Sequence, residues 1–108
     1  MKKLLSLFII FNIYLHANNE IVIDVRTPQE FQLGHIKDSI NIEWQDIEKV
    51  KNMATKEQKI YLYCRSGNRS QKATDILVQL GYVDVENLGS ISDAANFLNA
   101  NVVKHDIQ

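Results

Sequence analysis

Cysteine occurs once in these 108 residues, at position 64, where it opens the run Cys64-Arg65-Ser66-Gly67-Asn68-Arg69-Ser70. Residues 59–63 before it read as a strand, and the chain from about Ser70 onward reads as a helix. A thiol at a strand end, followed by a short loop with two arginines and a helix N-terminus, is placed to ionise. The free N–H groups of such a loop face the sulfur, and the helix dipole adds partial positive charge. An ordinary cysteine, with a pKa near ~8.5, is only a few per cent thiolate at neutrality; such surroundings lower the value to ~7 or below. Gly67 permits backbone conformations that converge several N–H groups on one point. Arg65 and Arg69 each offer a guanidinium to an anion, although Arg69 has the competing role of pairing with an acid or holding the loop. Ser66 and Ser70 add hydroxyls, with a helix cap the equal reading of Ser70. A lone cysteine is often no more than a small buried apolar residue. This one's loop argues instead for a nucleophile, with Arg65, Ser66, Gly67, Asn68 and Arg69 expected to bind a small anion that has an electrophilic centre.

Two chemistries fit that description, phosphoryl transfer and sulfur transfer. A cysteine phosphatase needs a loop that surrounds a tetrahedral phosphoryl group, with an arginine after five intervening residues. Here Arg69 follows Cys64 after four, and nothing places an acid over the loop to protonate a leaving alcohol. The tighter loop suits a thiolate carrying one extra sulfur atom. A cysteine phosphatase or arsenate reductase stays as the enzymatic alternative, and a module that holds sulfur or anions without turnover as the non-enzymatic one.

The elements that must position this loop follow from periodicity. Residues 20–25 form a short apolar, β-branched run of the kind that makes a buried strand. Thr27, Pro28 and Glu30 then occupy the cap, first-turn and capping-box positions of a short helix that Gly34 ends. Residues 39–42 read as a second strand, residues 44–54 as a helix and residues 60–63 as the next strand. Ala73, Ile76, Leu77 and Leu80 share one face of the following helix, which Gly81 stops. Residues 82–85 read as another strand, and Ile91, Ala94, Ala95 and Leu98 as a last helix; residues 99–108 have no clear assignment. Alternating strands and helices imply a three-layer α/β domain around a largely parallel central sheet. Such sheets bind ligands at the carboxyl ends of their strands, which is where Cys64 lies.

Lys2 and Lys3, an apolar stretch from Leu4 to Leu15 and the small Ala17 have the layout of a secretory signal peptide. Residues 1–17 are expected to be removed, leaving one domain at 18–108, and the apolar stretch is shorter than the ~20 residues that span a bilayer. The formal charge then moves from −1 to about −3 with the loss of two lysines. That balance suits neither nucleic acid nor a membrane surface. One cysteine excludes an internal disulfide, and a leftover thiol in an exported chain is a candidate reactive group. Nothing in the sequence calls for more than a monomer.

Three stretches are similar to the signatures of the rhodanese family, and in particular of its small exported single-domain members of the phage-shock type. They are Ile23-Asp24-Val25-Arg26-Thr27-Pro28-Gln29-Glu30-Phe31, Gly34-His35-Ile36-Lys37-Asp38-Ser39-Ile40-Asn41-Ile42 and Tyr63-Cys64-Arg65-Ser66-Gly67-Asn68-Arg69-Ser70. With Leu80-Gly81-Tyr82 and Val85-Glu86-Asn87-Leu88-Gly89 the resemblance covers most of residues 20–98. It implies a periplasmic or otherwise exported thiosulfate sulfurtransferase. Cys64 attacks the sulfane sulfur of thiosulfate, sulfite leaves, and a persulfide passes its sulfur to cyanide or a thiol. No metal or organic cofactor is implied. Asp24 and Arg26 are expected to support neighbouring loops, Glu30 a helix start, His35 the scaffold, and Trp44 and Tyr61 the packing. Many members have a second glycine and a downstream tryptophan where this chain has Leu88-Gly89-Ser90-Ile91, which leaves the pocket and the acceptor open.

Overall fold

The computed structural model describes residues 20–104, so residues 1–17, expected to be a signal peptide, lie outside the described residues. The elements run β1 (Ile21–Asp24), α1 (Pro28–Leu33), β2 (His35–Ile36), β3 (Ile40–Asn41), a 3₁₀ helix (Trp44–Asn52), β4 (Ile60–Cys64), α2 (Asn68–Gln79), β5 (Val85–Ser90), α3 (Ile91–Leu98) and β6 (Val102–Val103). The main sheet has the order β3-β1-β4-β5 with every pair parallel, and β2 and β6 form a separate antiparallel pair. Strand β4 lies inside the sheet and all five of its residues are buried.

The period of two in β1 and β4 divides the core between two faces. Ile23, Val25, Ile60, Leu62 and Cys64 pack with Ala73 and Leu77 of α2 and with Ile47 and Val50 of the 3₁₀ helix. On the opposite face Tyr63 and Ile36 pack with Ala94 of α3, and Val22, Leu88 and Leu98 close around them. Helices on both faces make the fold a three-layer α/β architecture around a parallel central sheet, as the sequence pattern implied. Among the described residues no helix is long and apolar enough to cross a membrane.

Local chemistry accounts for the ends of α1. Thr27 and Glu30 form a reciprocal capping box: the Thr27 hydroxyl accepts from the Glu30 N–H, and the Glu30 carboxylate accepts from the Thr27 N–H. Gly34 closes the helix with its N–H on the Phe31 carbonyl.

Four segments depart from the sequence expectation. Residues 44–52 wind as a 3₁₀ helix rather than an α-helix, and its buried residues, Ile47 and Val50, are spaced by the three of a 3₁₀ turn. Helix α2 begins at Asn68, two residues before Ser70, because Gly67 caps it in a left-handed conformation (φ +98°). The strand expected at 82–85 instead starts at Val85 and runs to Ser90. Gly81 (φ +99°) reverses the chain, and Tyr82 becomes a core plug, its N–H on the Leu77 carbonyl and its hydroxyl on the Ala54 carbonyl. Finally, the tail supplies β6, which pairs His35 with Val103 and Ile36 with Val102.

Candidate active site

Strand β4 ends at Cys64, and the side chain is the last in the row Ile60, Leu62, Cys64 that faces α2. The residue has no exposed surface (0%). A nucleophile must be exposed enough to meet its substrate, and here the structure departs from that requirement: the pleat turns Cys64 inward, and the start of α2 lies over it. Inside that pocket the sulfur meets polar donors as well as the apolar core. The Gly67 N–H donates to Sγ at 2.9 Å, and the Ser70 hydroxyl lies 3.3 Å from it. Burial pushes the thiol up, but the Ser70 hydroxyl and the N–H groups of Ser70, Gly67 and Ser66 outweigh it and hold the pKa below the usual cysteine value. The net effect is a sulfur prepared for negative charge.

Gly67 is the residue that allows this. Its φ of +98° turns the N–H toward the sulfur, and a Cβ there would stand 3.4 Å from Gly89 Cα, on the turn that ends β5. Gly89 is itself left-handed (φ +90°), and Ser90 after it caps α3 by accepting from the Asp93 N–H.

The two loop arginines have different surroundings. Arg69 gives Nη1 and Nη2 to the two carboxylate oxygens of Glu30 at 2.8 and 3.1 Å, across 39 residues of chain. The structure thus engages Arg69 with an acid and a helix start, the alternative to a free anion ligand. Hydrogen bonding from Arg69 is the main reason that the Glu30 carboxyl falls to about 2, and the Thr27 N–H adds to it. Arg65 is exposed and has no hydrogen bond or ion pair among the described residues. It lines a cavity of about 370 Å³ with Arg26, Glu30, Leu33, Gly34 and Ile91. Ser66 and Asn68 are exposed on the same loop.

Behind the loop the scaffold is fully paired. Asp24 (0% exposed) binds the Arg26 guanidinium and backbone N–H, and Arg26 continues to the Gly34 carbonyl. Asn41 donates to the Asp24 and Arg26 carbonyls, tying β3 to the turn after β1. His35 stacks on Phe31 at 3.7 Å, with Nδ1 on the Phe31 carbonyl, and the Tyr63 hydroxyl accepts from the Ile36 N–H. None of these groups reaches the sulfur. Sequence reasoning offered an acid as the competing partner of Arg69 without identifying Glu30, and it missed the part played by Asn87, whose amide contacts both Ser70 and the Gly67 carbonyl. The only signal for Asn87 was its place two residues before Gly89.

Comparison with known proteins gives concordant findings. Residues 13–96 match the family described as the Rhodanese-like domain. The chain is 36% identical over 98 residues to the thiosulfate sulfurtransferase PspE of Escherichia coli, covering 87% of this chain and 91% of that one. It is 34% identical over 71 residues to the thiosulfate sulfurtransferase GlpE of Pseudomonas syringae, covering 66% and 67%. Among solved structures, one described as a rhodanese with anions from E. coli superposes with a TM-score of 0.72 at 34% identity, over 80% of this chain and 99% of that one.

Proposed function

The chain belongs to the rhodanese-like domain family, and from that premise we propose that it is a thiosulfate sulfurtransferase working through a persulfide on Cys64. The observation that carries the proposal is the Gly67 N–H donating to Sγ at 2.9 Å, with the Ser70 hydroxyl beside it: these donors favour an anionic sulfur at neutral pH.

In the first step the Cys64 thiolate attacks the outer sulfur of thiosulfate. The sulfur–sulfur bond of thiosulfate breaks, its electron pair leaves with sulfite, and Cys64 holds a persulfide anion. In the second step cyanide or a thiolate attacks that outer sulfur, the new bond gives thiocyanate or a persulfide, and the Cys64 thiolate returns. Charge and atoms balance in both steps, and neither requires a metal or an organic cofactor. The loop donors stabilise the sulfur anion before and after each transfer. Arg65 supplies the unpaired positive charge that meets the donor, while Ser66, Gly67 and Asn68 present the loop's N–H groups. Arg69 takes part by fixing the loop to Glu30. Since Cys64 is covered, the loop and the start of α2 must shift for the donor to reach it.

That burial is the one observation favouring the rival reading, a module that holds sulfur or an anion without turnover. A thiosulfate:cyanide assay separates the two. Turnover by the native chain that is lost in Cys64→Ser supports the enzyme; absent turnover in both supports the module, and turnover surviving in Cys64→Ser excludes the covalent route. An aryl phosphate run alongside tests phosphatase chemistry. The proposal also makes residues 1–17 a signal peptide and the exported 18–108 domain a monomer. N-terminal sequencing of the exported chain tests it, with Asn18 expected first.

A further inference from the structure

Asn87 stands on β5, two residues before the turn that touches the loop, and all four hydrogen-bonding positions of its carboxamide are occupied. Nδ2 donates to the Gly67 carbonyl (3.1 Å) and to Gln71 Oε1 (3.0 Å). Oδ1 accepts from the Gly89 N–H (2.9 Å) and from the Ser70 hydroxyl (2.6 Å). The donor and acceptor partners fix which end is oxygen and which is nitrogen. Gly67 and Ser70, which give the sulfur an N–H and a hydroxyl, are therefore both held by one residue that does not touch it, Gly67 through its carbonyl and Ser70 through its hydroxyl.

Ser70 has a single hydroxyl proton and two acceptors, Asn87 Oδ1 at 2.6 Å and Cys64 Sγ at 3.3 Å. With the sulfur as a thiol, its S–H can donate to Ser70 Oγ while the hydroxyl proton stays on Asn87. When the sulfur loses its proton, the hydroxyl turns to Sγ, and Oδ1 keeps only the Gly89 N–H. Ionisation thus gives up the Ser70–Asn87 bond. The Gly67 arm works the other way: Asn87 anchors the Gly67 carbonyl, on the far side of that residue's Cα, and a residue held there keeps its preceding N–H on the anion.

We propose that Asn87 is a positioning residue that sets the ionisation of Cys64 by two routes of opposite sign: support through Gly67 and restraint through Ser70. The inference deepens the sulfur-transfer reading, since it concerns the same nucleophile. The charged groups around the loop are Arg65 and Arg69 within it, Glu30 on α1, the Asp24–Arg26 pair at the end of β1, Asp93 on α3 beside the Gly89 turn, and Asp75 on α2, which accepts from Gln71; on β5, Glu86 is bound to Lys59. None of them is altered by changing Asn87.

The test is the pH dependence of Cys64 alkylation by iodoacetamide, followed by intact mass in the full chain. The plateau rate at high pH reads access to the sulfur, and the midpoint reads its ionisation. Asn87→Leu, with Asn87→Ala made in parallel in case one fails to fold, is compared in the native and Ser70→Ala backgrounds. In Ser70→Ala only the Gly67 route remains, so loss of Asn87 raises the midpoint. With Ser70 present the same loss also frees its hydroxyl for the thiolate. The rise is then smaller by about 0.5 pH unit, about threefold in thiolate fraction at neutrality. A rise as large with Ser70 as without it, or no rise in Ser70→Ala, overturns the proposal. Alkylation needs no sulfur transfer: a chain that shows this pattern yet never forms a persulfide disproves the enzyme reading alone.

Discussion

Replacing Glu30 by glutamine removes one charge from the joint between α1 and the sulfur loop, and its cost follows from the geometry. The Glu30 carboxylate accepts two bonds from Arg69 and one from the Thr27 N–H, and its pKa falls from 4.5 to about 2. At 1.36 kcal/mol per tenfold change in equilibrium, that depression sets a ceiling of roughly 3 kcal/mol on the stability the charge contributes at neutral pH. Both side chains keep a little under a third of their surface in water, which screens the pair. An exposed pair would contribute no more than ~1 kcal/mol, so we place the loss in Glu30→Gln at about 1–2 kcal/mol. In a domain of this size that is a fall in melting temperature of roughly 5–15 °C. The sign with pH is fixed by the depressed pKa. The contribution is complete above the unfolded value near ~4.5 and disappears as pH falls through about 2, with more than half gone by about pH 3. Urea unfolding of both proteins between neutrality and about pH 3 measures the gap. A variant as stable as the native chain at neutral pH, or a gap that stays constant down to about pH 3, refutes the reasoning.

Three further outcomes can be checked on the same protein. Tyr63→Phe leaves the buried Ile36 N–H without its acceptor and removes the Ser39 contact, so it costs about 1–3 kcal/mol in urea unfolding. Gly67→Ala forces a side chain into a left-handed conformation 3.4 Å from Gly89 Cα; a strain of about 1–2 kcal/mol, relieved by moving the loop, lowers sulfur transfer at least tenfold by the thiosulfate:cyanide assay. Arg65→Gln removes the unpaired guanidinium of the cavity and raises KM for thiosulfate several-fold while kcat changes little, because no other group depends on it.

What could be read from the chain was what neighbours in sequence decide. The capping box at Thr27 and Glu30, the helical stripe through Ala73 and Leu77, and the placement of Cys64 at a strand end depend on residues a few positions apart. What escaped depends on partners far away. Glu30 reads as a helix start because Thr27 is near; that it also binds Arg69 is decided by the crossing of α1 and the loop in space. Residues 82–85 alternate like a strand, yet the reversal at Gly81 makes Tyr82 a plug under Ala54. Strand β6 is two residues long and exists only through its pairing with β2. The burial of Cys64 was hidden for a related reason: the same loop that points N–H groups at the sulfur also covers it.

The account comes down to whether this covered sulfur carries a second one. Intact mass of the full chain after thiosulfate, with and without a later reductant, answers that directly. We expect one added sulfur atom in the native chain, removed by the reductant and never acquired by Cys64→Ser. A native chain whose mass stays unchanged in thiosulfate, or an adduct that forms equally well without Cys64, contradicts it.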